Sequence, residues 1–209
     1  DLKGDRSLFE TARLEAASAG AEFRWFALEG GLSSHVFNPL EQTHFARLTP
    51  NQKTQLILEG LSLNYGDAYG RGYFSAMNEV VLLKLIRHYP IASFQRLHDL
   101  LCDKAAYIAA GGNLDEWKKA QHVTALVDRL GSMHALNVTM DDLRDRPRAR
   151  DAAIDMGNML SRPQVVYFTL KSPIEPIGSP AVAKLAMYSL FSAAAHRTAQ
   201  QRQRVYVVV

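Results

Sequence analysis

Gln164-Val-Val-Tyr-Phe-Thr-Leu170 is rich in β-branched and aromatic residues and stops at Lys171-Ser172-Pro173, so it reads as a β-strand. Downstream, Ser179-Pro180 predicts the capped start of a long helix over 180–202, rich in Ala, Leu and Met. Arg204-Val-Tyr-Val-Val-Val209 then predicts another strand, of the kind covered on both faces. The other end of the chain has the same alternation. Asp5 predicts the cap of a helix over 6–19, with Leu8, Phe9, Ala12, Leu14 and Ala16 as apolar positions and Gly20 at its end. Phe23-Arg-Trp-Phe-Ala-Leu28 predicts the strand that follows. Helices alternating with apolar strands point to a parallel sheet.

Residues 29–48 hold Gly30-Gly31, Ser33-Ser34 and Asn38-Pro39 and read as loop. From Thr49 the pattern turns to helix after helix. Thr49-Pro50-Asn51-Gln52 is a capping box with proline at the first helical position. The glycine-rich stretch 64–72 breaks that helix, and a second runs over about 73–89 to Pro90. Ser93 predicts the cap of a third, ending at Gly111-Gly112. Asn113-Leu-Asp-Glu116 opens a fourth, through about Leu136, and Pro147 allows another to about residue 161. The expected fold class is therefore α/β and mostly helical overall: a parallel sheet core in two pieces, 1–48 and 162–209, interrupted by an all-α domain over 49–161.

Composition narrows the classes of function. The chain has 209 residues, 47% of them hydrophobic and 22% charged, which excludes collagen-like, coiled-coil and disordered proteins. One cysteine, Cys102, excludes an internal disulfide framework and a multi-cysteine zinc site; its leucine neighbours predict a packed thiol. No apolar run is long enough to span a bilayer. The net charge is only +3, but Arg162, Lys171, Lys184, Arg197, Arg202 and Arg204 stand against the single acid Glu175 in the last segment. That bias fits either a polyanion partner or a solvated helix face. Arg197, Arg202 and Arg204 are the nucleic-acid candidates.

No phosphate-loop, dinucleotide, metalloprotease or nucleophile-elbow motif occurs in the chain. Seven scattered histidines offer no metal spacing; His122 and His134 are expected on one helix, too far apart to share an ion. No catalytic and no metal residue is assigned. Lys3-Gly4-Asp5 falls where a strand gives way to a helix, and the proline-rich loop 171–180 follows another strand. Ligands of open α/β sheets bind at such carboxyl edges. Lys3, Gly4 and Asp5 are thus candidates for contact with nucleotide or a neighbouring subunit, with a plain turn capped by Asp5 as the alternative. Arg144, Arg146, Arg148 and Arg150 alternate with acids and predict a salt-bridged connection. Tyr65, Tyr69, Tyr73 and Phe74 surround the glycine-rich break and predict packing of a bent helix junction.

Four stretches together resemble one family. Asp1-Leu-Lys-Gly-Asp5 resembles the Asp-x-Lys-Gly-Asp/Glu segment at the second core strand of HerA/FtsK-type motor ATPases. Val36-Phe-Asn-Pro-Leu40 is similar to the Phe-Asn-Pro-Leu stretch of type IV secretion coupling proteins. Leu63-Asn-Tyr-Gly-Asp-Ala-Tyr-Gly-Arg-Gly-Tyr-Phe-Ser75 resembles the Gly-x-x-Tyr-Gly-x-x-Tyr-Phe segment of TraD/TraG-like conjugation ATPases. Residues 204–209 resemble the strand before a Walker B acid pair.

The resemblance implies a RecA-like nucleotide-binding domain interrupted by an all-α domain. It implies a homo-hexameric ATPase at the cytoplasmic face of the bacterial inner membrane, working with ATP and Mg2+. Its partners would be relaxase, DNA-processing or effector substrates, DNA, and other secretion-system ATPases. The opening Asp1-Leu-Lys and the closing apolar run predict an internal, soluble piece of such a protein, lying between the Walker A lysine and the Walker B acids and inactive alone, with no cofactor of its own. Two alternatives are a non-enzymatic helical adaptor acting by protein contacts and a fragment of a HerA/FtsK-type DNA motor. The adaptor requires residues 204–209 to find both strand neighbours within the chain.

Overall fold

The computed structural model describes residues 4–28, 34–63, 71–144, 152–197 and 205–208. The carboxylate of Asp5 accepts hydrogen bonds from the amides of Ser7 and Leu8 (2.8 and 3.1 Å) and starts α1, Arg6–Ser18. These are two of the donors that a helix start leaves without partners. The chain then turns into β1, Glu22–Ala27, which pairs in parallel with β2, Gln164–Thr169. The register runs from Glu22 opposite Gln164 to Ala27 opposite Thr169.

Alternation along the two strands divides their aromatic residues between faces. On one face Phe9 of α1 sits edge-on to Phe23, Trp25 and Tyr167, with ring centroids 5.5, 5.1 and 5.4 Å apart. On the other, Phe26, Phe37 and Phe168 pack together, and Phe26 and Phe37 are fully buried. The sheet is thus small, parallel and set among helices, in agreement with the mostly helical α/β expectation.

The described part of the segment read as loop, residues 34–48, is loop apart from one 3-10 turn and isolated bridges, but much of it is buried. Residues 34–48 form a strap through the core, with Phe37, Leu40, Phe45 and Leu48 buried and a 3-10 turn at Phe45–Arg47. His35 bridges to Phe26 and Val36 to Ala153, so the strap borders the sheet.

Thr49 and Gln52 form the expected reciprocal capping box, opening α2, Pro50–Gly60. At its end Gly60 lies against α10 (Gly178–Ala195): a Cβ there would be 2.6 Å from Cγ of Leu185, so only glycine permits this approach. After the stretch 64–70, which lies outside the described residues, α3 covers Arg71–His88. Ser93 caps α4, Phe94–Cys102.

Two expected helices are broken. The third stops at Asp103, whose carboxylate accepts from the Ala106 amide (3.0 Å) and starts α5, Lys104–Ala109. The fourth, opened by the Asn113–Glu116 capping box, divides into α6 (Leu114–Lys119), α7 (Gln121–Gly131) and α8 (His134–Asn137). The Asn137 amide explains the second break. It donates to the carbonyls of Leu130, Gly131 and Met133, which a continuing helix would have used itself. His122 and His134 accordingly stand on different helices.

Of the helix expected after Pro147, the described part is one turn, α9 (Met156–Met159), capped by Asp155. Helix α10 begins earlier than expected and without Ser179 as its cap. Ser179 is fully buried, and the Gly178 amide instead donates to Glu175, which Arg129 holds at 2.6 Å. The helix ends at Ala195, short of residue 202.

Residues 205–208 are not a strand. Val205, Tyr206, Val207 and Val208 are exposed and carry no ladder, Tyr206 at 81% and Val208 at 90% of their full surface. A β-branched run becomes a strand only against neighbours that take its backbone groups. Among the described residues no helix is long and apolar enough to cross a membrane.

Candidate functional site

The edge where β2 ends brings together two of the stretches selected from sequence. Lys171 follows β2, and its side chain lies across Gly4. Gly4 has φ +73°, and a Cβ there would stand 2.8 Å from both Cγ and Cε of Lys171. Both the left-handed backbone and the close approach call for glycine. Asp5 follows as the cap of α1, and its charge, after burial, helps to raise the pKa of Tyr167. Trp25 donates its indole N–H to Thr169 (2.9 Å), fastening the two strands near the same edge. The Lys3-Gly4-Asp5 turn and the loop 171–180 therefore share one sheet edge; Lys3 itself lies outside the described residues.

The first amides of α1 would be the natural phosphate donors. They are already bonded to the Asp5 carboxylate, which also repels an anion. Among the described residues no three His, Cys, Asp or Glu side chains are placed to hold a metal ion. The edge is built to join a turn to a strand, and no hydrolytic step is assigned to it.

The basic candidates divide differently. Arg197 donates to the Leu160 carbonyl (3.1 Å), before β2 begins, and so lies toward the opposite edge. There Glu22 also pairs with Arg24 and Arg162, each at 2.7 Å. Arg202 and Arg204 lie outside the described residues. Arg144 pairs with Asp141 at 2.7 Å on the surface, and its basic neighbours at 146–150 lie outside the described residues.

Two expectations of burial fail. Cys102 is exposed, its sulfur 3.3 Å from Nε2 of His98, because α4 turns Leu100 and Leu101 inward instead. Tyr73 and Phe74 are half exposed rather than buried, touching each other edge-on at 5.6 Å and reaching Lys119 (5.9 Å) and His122 (6.2 Å) on the neighbouring helices. Tyr65 and Tyr69 lie outside the described residues.

A cationic groove carries no sequence signal. It is about 290 Å³ in volume and is lined by Phe45, Lys53, Arg87, His88 and Tyr89 among others. Its residues come from the 34–48 strap, from α2 and from the end of α3, so only packing assembles it. The nearest local clue is Arg87-His88 at the end of an apolar helix, a pattern that also simply suits a helix C-terminus.

His44 is buried, and neither ring nitrogen has a hydrogen-bond partner among the described residues. Burial pushes its pKa below 6.5, against the pull of Asp155. Burial does the same to His35. The unfolded chain therefore binds protons at these sites before the folded chain does, so stability falls as pH drops through 6.5. Glu116 and Asp142, held low by hydrogen bonds, add their own loss only below about 4.5, while Glu41, pushed up by burial, works the other way. We expect the melting temperature to decline between pH 7 and 5, and His44→Phe to flatten that decline. An unchanged slope in the variant would remove His44 as its source.

Comparison with protein-family models, with curated proteins and with solved structures returned no match to this chain.

Proposed function

We propose that this chain belongs to an ATP-driven translocase of the type IV coupling kind, in which residues 49–161 recognise substrate and the two α/β pieces belong to a RecA-like motor core. The observation that carries the reading is the parallel, in-register pairing of β1 with β2 across the whole helical block. A motor core interrupted by a recognition domain has this topology. The meeting of Gly4 with Lys171 at the carboxyl edge supports it further. Both this reading and the helical-adaptor reading expect a strand at 204–209, so the exposed, unladdered residues 205–208 favour neither.

In this reading ATP and Mg2+ serve the hexameric parent at the inner membrane, because the phosphate cradle and metal-holding acid of such a motor are not among this chain's motifs. The substrates are a relaxase with its DNA, or an effector protein. Two titrations of the folded chain test the proposal. A relaxase carrying its covalently attached single strand, or an effector of the same secretion system, is expected to bind saturably. A fluorescent ATP analogue with magnesium is expected not to. Tight one-to-one binding of the analogue would mean a complete nucleotide site within these residues and would overturn the reading. So would failure of both kinds of substrate to bind.

A further inference from the structure

We infer that the groove between the start of α2 and the end of α3 binds single-stranded nucleic acid, taking phosphate on Lys53 and Arg87 and a base against His88 and Tyr89. The inference rests on the reading of the helical block as the recognition module for its setting, and on the groove itself for its chemistry.

The charges are the first argument. Arg13, Arg24, Lys84, Lys119, Arg129, Arg144 and Arg162 each lie within ion-pair distance of a carboxylate. Lys53 and Arg87, like Arg6, Arg47, Arg96, Lys104, Lys118 and Lys184, have no such partner among the described residues; of these, Lys53 and Arg87 line the groove, which no acid lines. Two cations facing one cavity without counter-charge repel each other, and an anion between them removes that repulsion. Complementing the α3 dipole accounts for Arg87 and His88 but not for Lys53, which comes from another helix.

Both cations are also positioned. The Lys53 ammonium stands 5.0 Å from the centre of the Phe45 ring. The buried ring holds the ammonium in place without neutralising it. The Arg87 guanidinium donates to Asn51 at 3.2 Å through one nitrogen, leaving its other donors for a phosphate.

The rings favour nucleic acid over an acidic peptide. His88 is exposed and meets Tyr89 edge-on, with centroids 4.6 Å apart, while the Tyr89 hydroxyl is anchored on the Ala106 carbonyl (3.1 Å). Stacking surface beside backbone-tracking cations is the arrangement by which single strands are held without reading their sequence. A peptide carboxylate would use the cations and leave the rings idle.

The test is fluorescence anisotropy of a labelled oligo-dT strand with the full chain at several salt concentrations. Wild type is expected to bind with an affinity that falls with salt, at a slope of about −0.7 per phosphate contact. The double variant K53E/R87E is expected to bind about tenfold more weakly or worse. R96E, which changes an exposed arginine of α4, should bind as wild type does. If the double variant fails to fold by circular dichroism, Lys53→Gln and Arg87→Gln made singly should each flatten the salt slope by about one contact. Absence of oligonucleotide binding by wild type would overturn the proposal. Equal binding by K53E/R87E, or equally tight binding of a poly-glutamate peptide, would overturn it as well. If wild type binds relaxase but no oligonucleotide, the groove proposal falls and the recognition reading stands; if wild type binds neither relaxase, effector nor oligonucleotide, that reading falls too.

Discussion

Phe37→Ala is expected to lower the free energy of unfolding by about 4 kcal/mol. The ring is fully buried and packs against both strands of the sheet. It meets Phe26 at 6.1 Å and Phe168 at 5.4 Å, each nearly edge-on. Edge-to-face pairs add roughly 1 kcal/mol beyond the burial of area. Truncation removes two such pairs and leaves a cavity bounded by two strands whose hydrogen bonds hold them apart, so the site has little freedom to collapse. A two-stranded parallel sheet is marginal on its own and depends on what packs against its faces. Urea unfolding should show a lower midpoint at unchanged slope. Leu14→Ala on α1, where the side chain is 60% exposed, should change stability by less than about 0.5 kcal/mol. If Phe37→Ala costs no more than that control, the strap lies on the sheet without supporting it.

The elements that were legible in the sequence were those with local causes. Asp5, Thr49 with Gln52, Ser93, and Asn113 with Glu116 all start helices where their side chains can reach amides a few residues on. The strands at 22–27 and 164–169 were legible because β-branched or aromatic residues crowd each of them. The helix breaks at Asp103 and at 132–133 were not legible, since Asp103 and Asn137 are each tolerated inside a helix and interrupt it only when the side chain takes a backbone group. Ser179 was misread because Glu175, held from another element by Arg129, already serves the start of α10. The strap was legible as loop from Asn38-Pro39 and the serines, but its burial was not, because Phe37, Leu40, Phe45 and Leu48 follow neither the period of a helix nor that of a strand. The cationic groove was out of reach for the same reason at longer range: Lys53 and Arg87 become neighbours only through the packing of α2 on α3.

Asn38→Ala is expected to cost about 3 kcal/mol, an amount that neither a loop residue nor an exposed cap would carry. The Asn38 amide donates to the carbonyls of Ala92 (2.8 Å) and Val138 (3.2 Å), and its oxygen accepts from the Leu40 amide (3.0 Å). Its backbone carbonyl accepts from Gln42, which in turn reaches the Ile154 carbonyl and the Met156 amide. One buried side chain therefore holds the segments before α4 and after α8 to the strap, and its neighbour holds the segment before α9. Alanine leaves two carbonyls and one amide buried without partners. The comparison that isolates this effect is Asn113→Ala, an exposed helix cap expected to cost about 1 kcal/mol. Asn38→Asp adds a second reading. While ionised it keeps the acceptor for Leu40 and loses both donors; once protonated it regains one O–H donor. Its deficit should shrink as pH falls, opposite in sign to the histidine-driven loss of the wild type. Equal costs for Asn38→Ala and Asn113→Ala, with no pH dependence in Asn38→Asp, would show that the Phe-Asn-Pro-Leu stretch is not a clamp, and the stretch would then have to be explained by contacts made outside the chain.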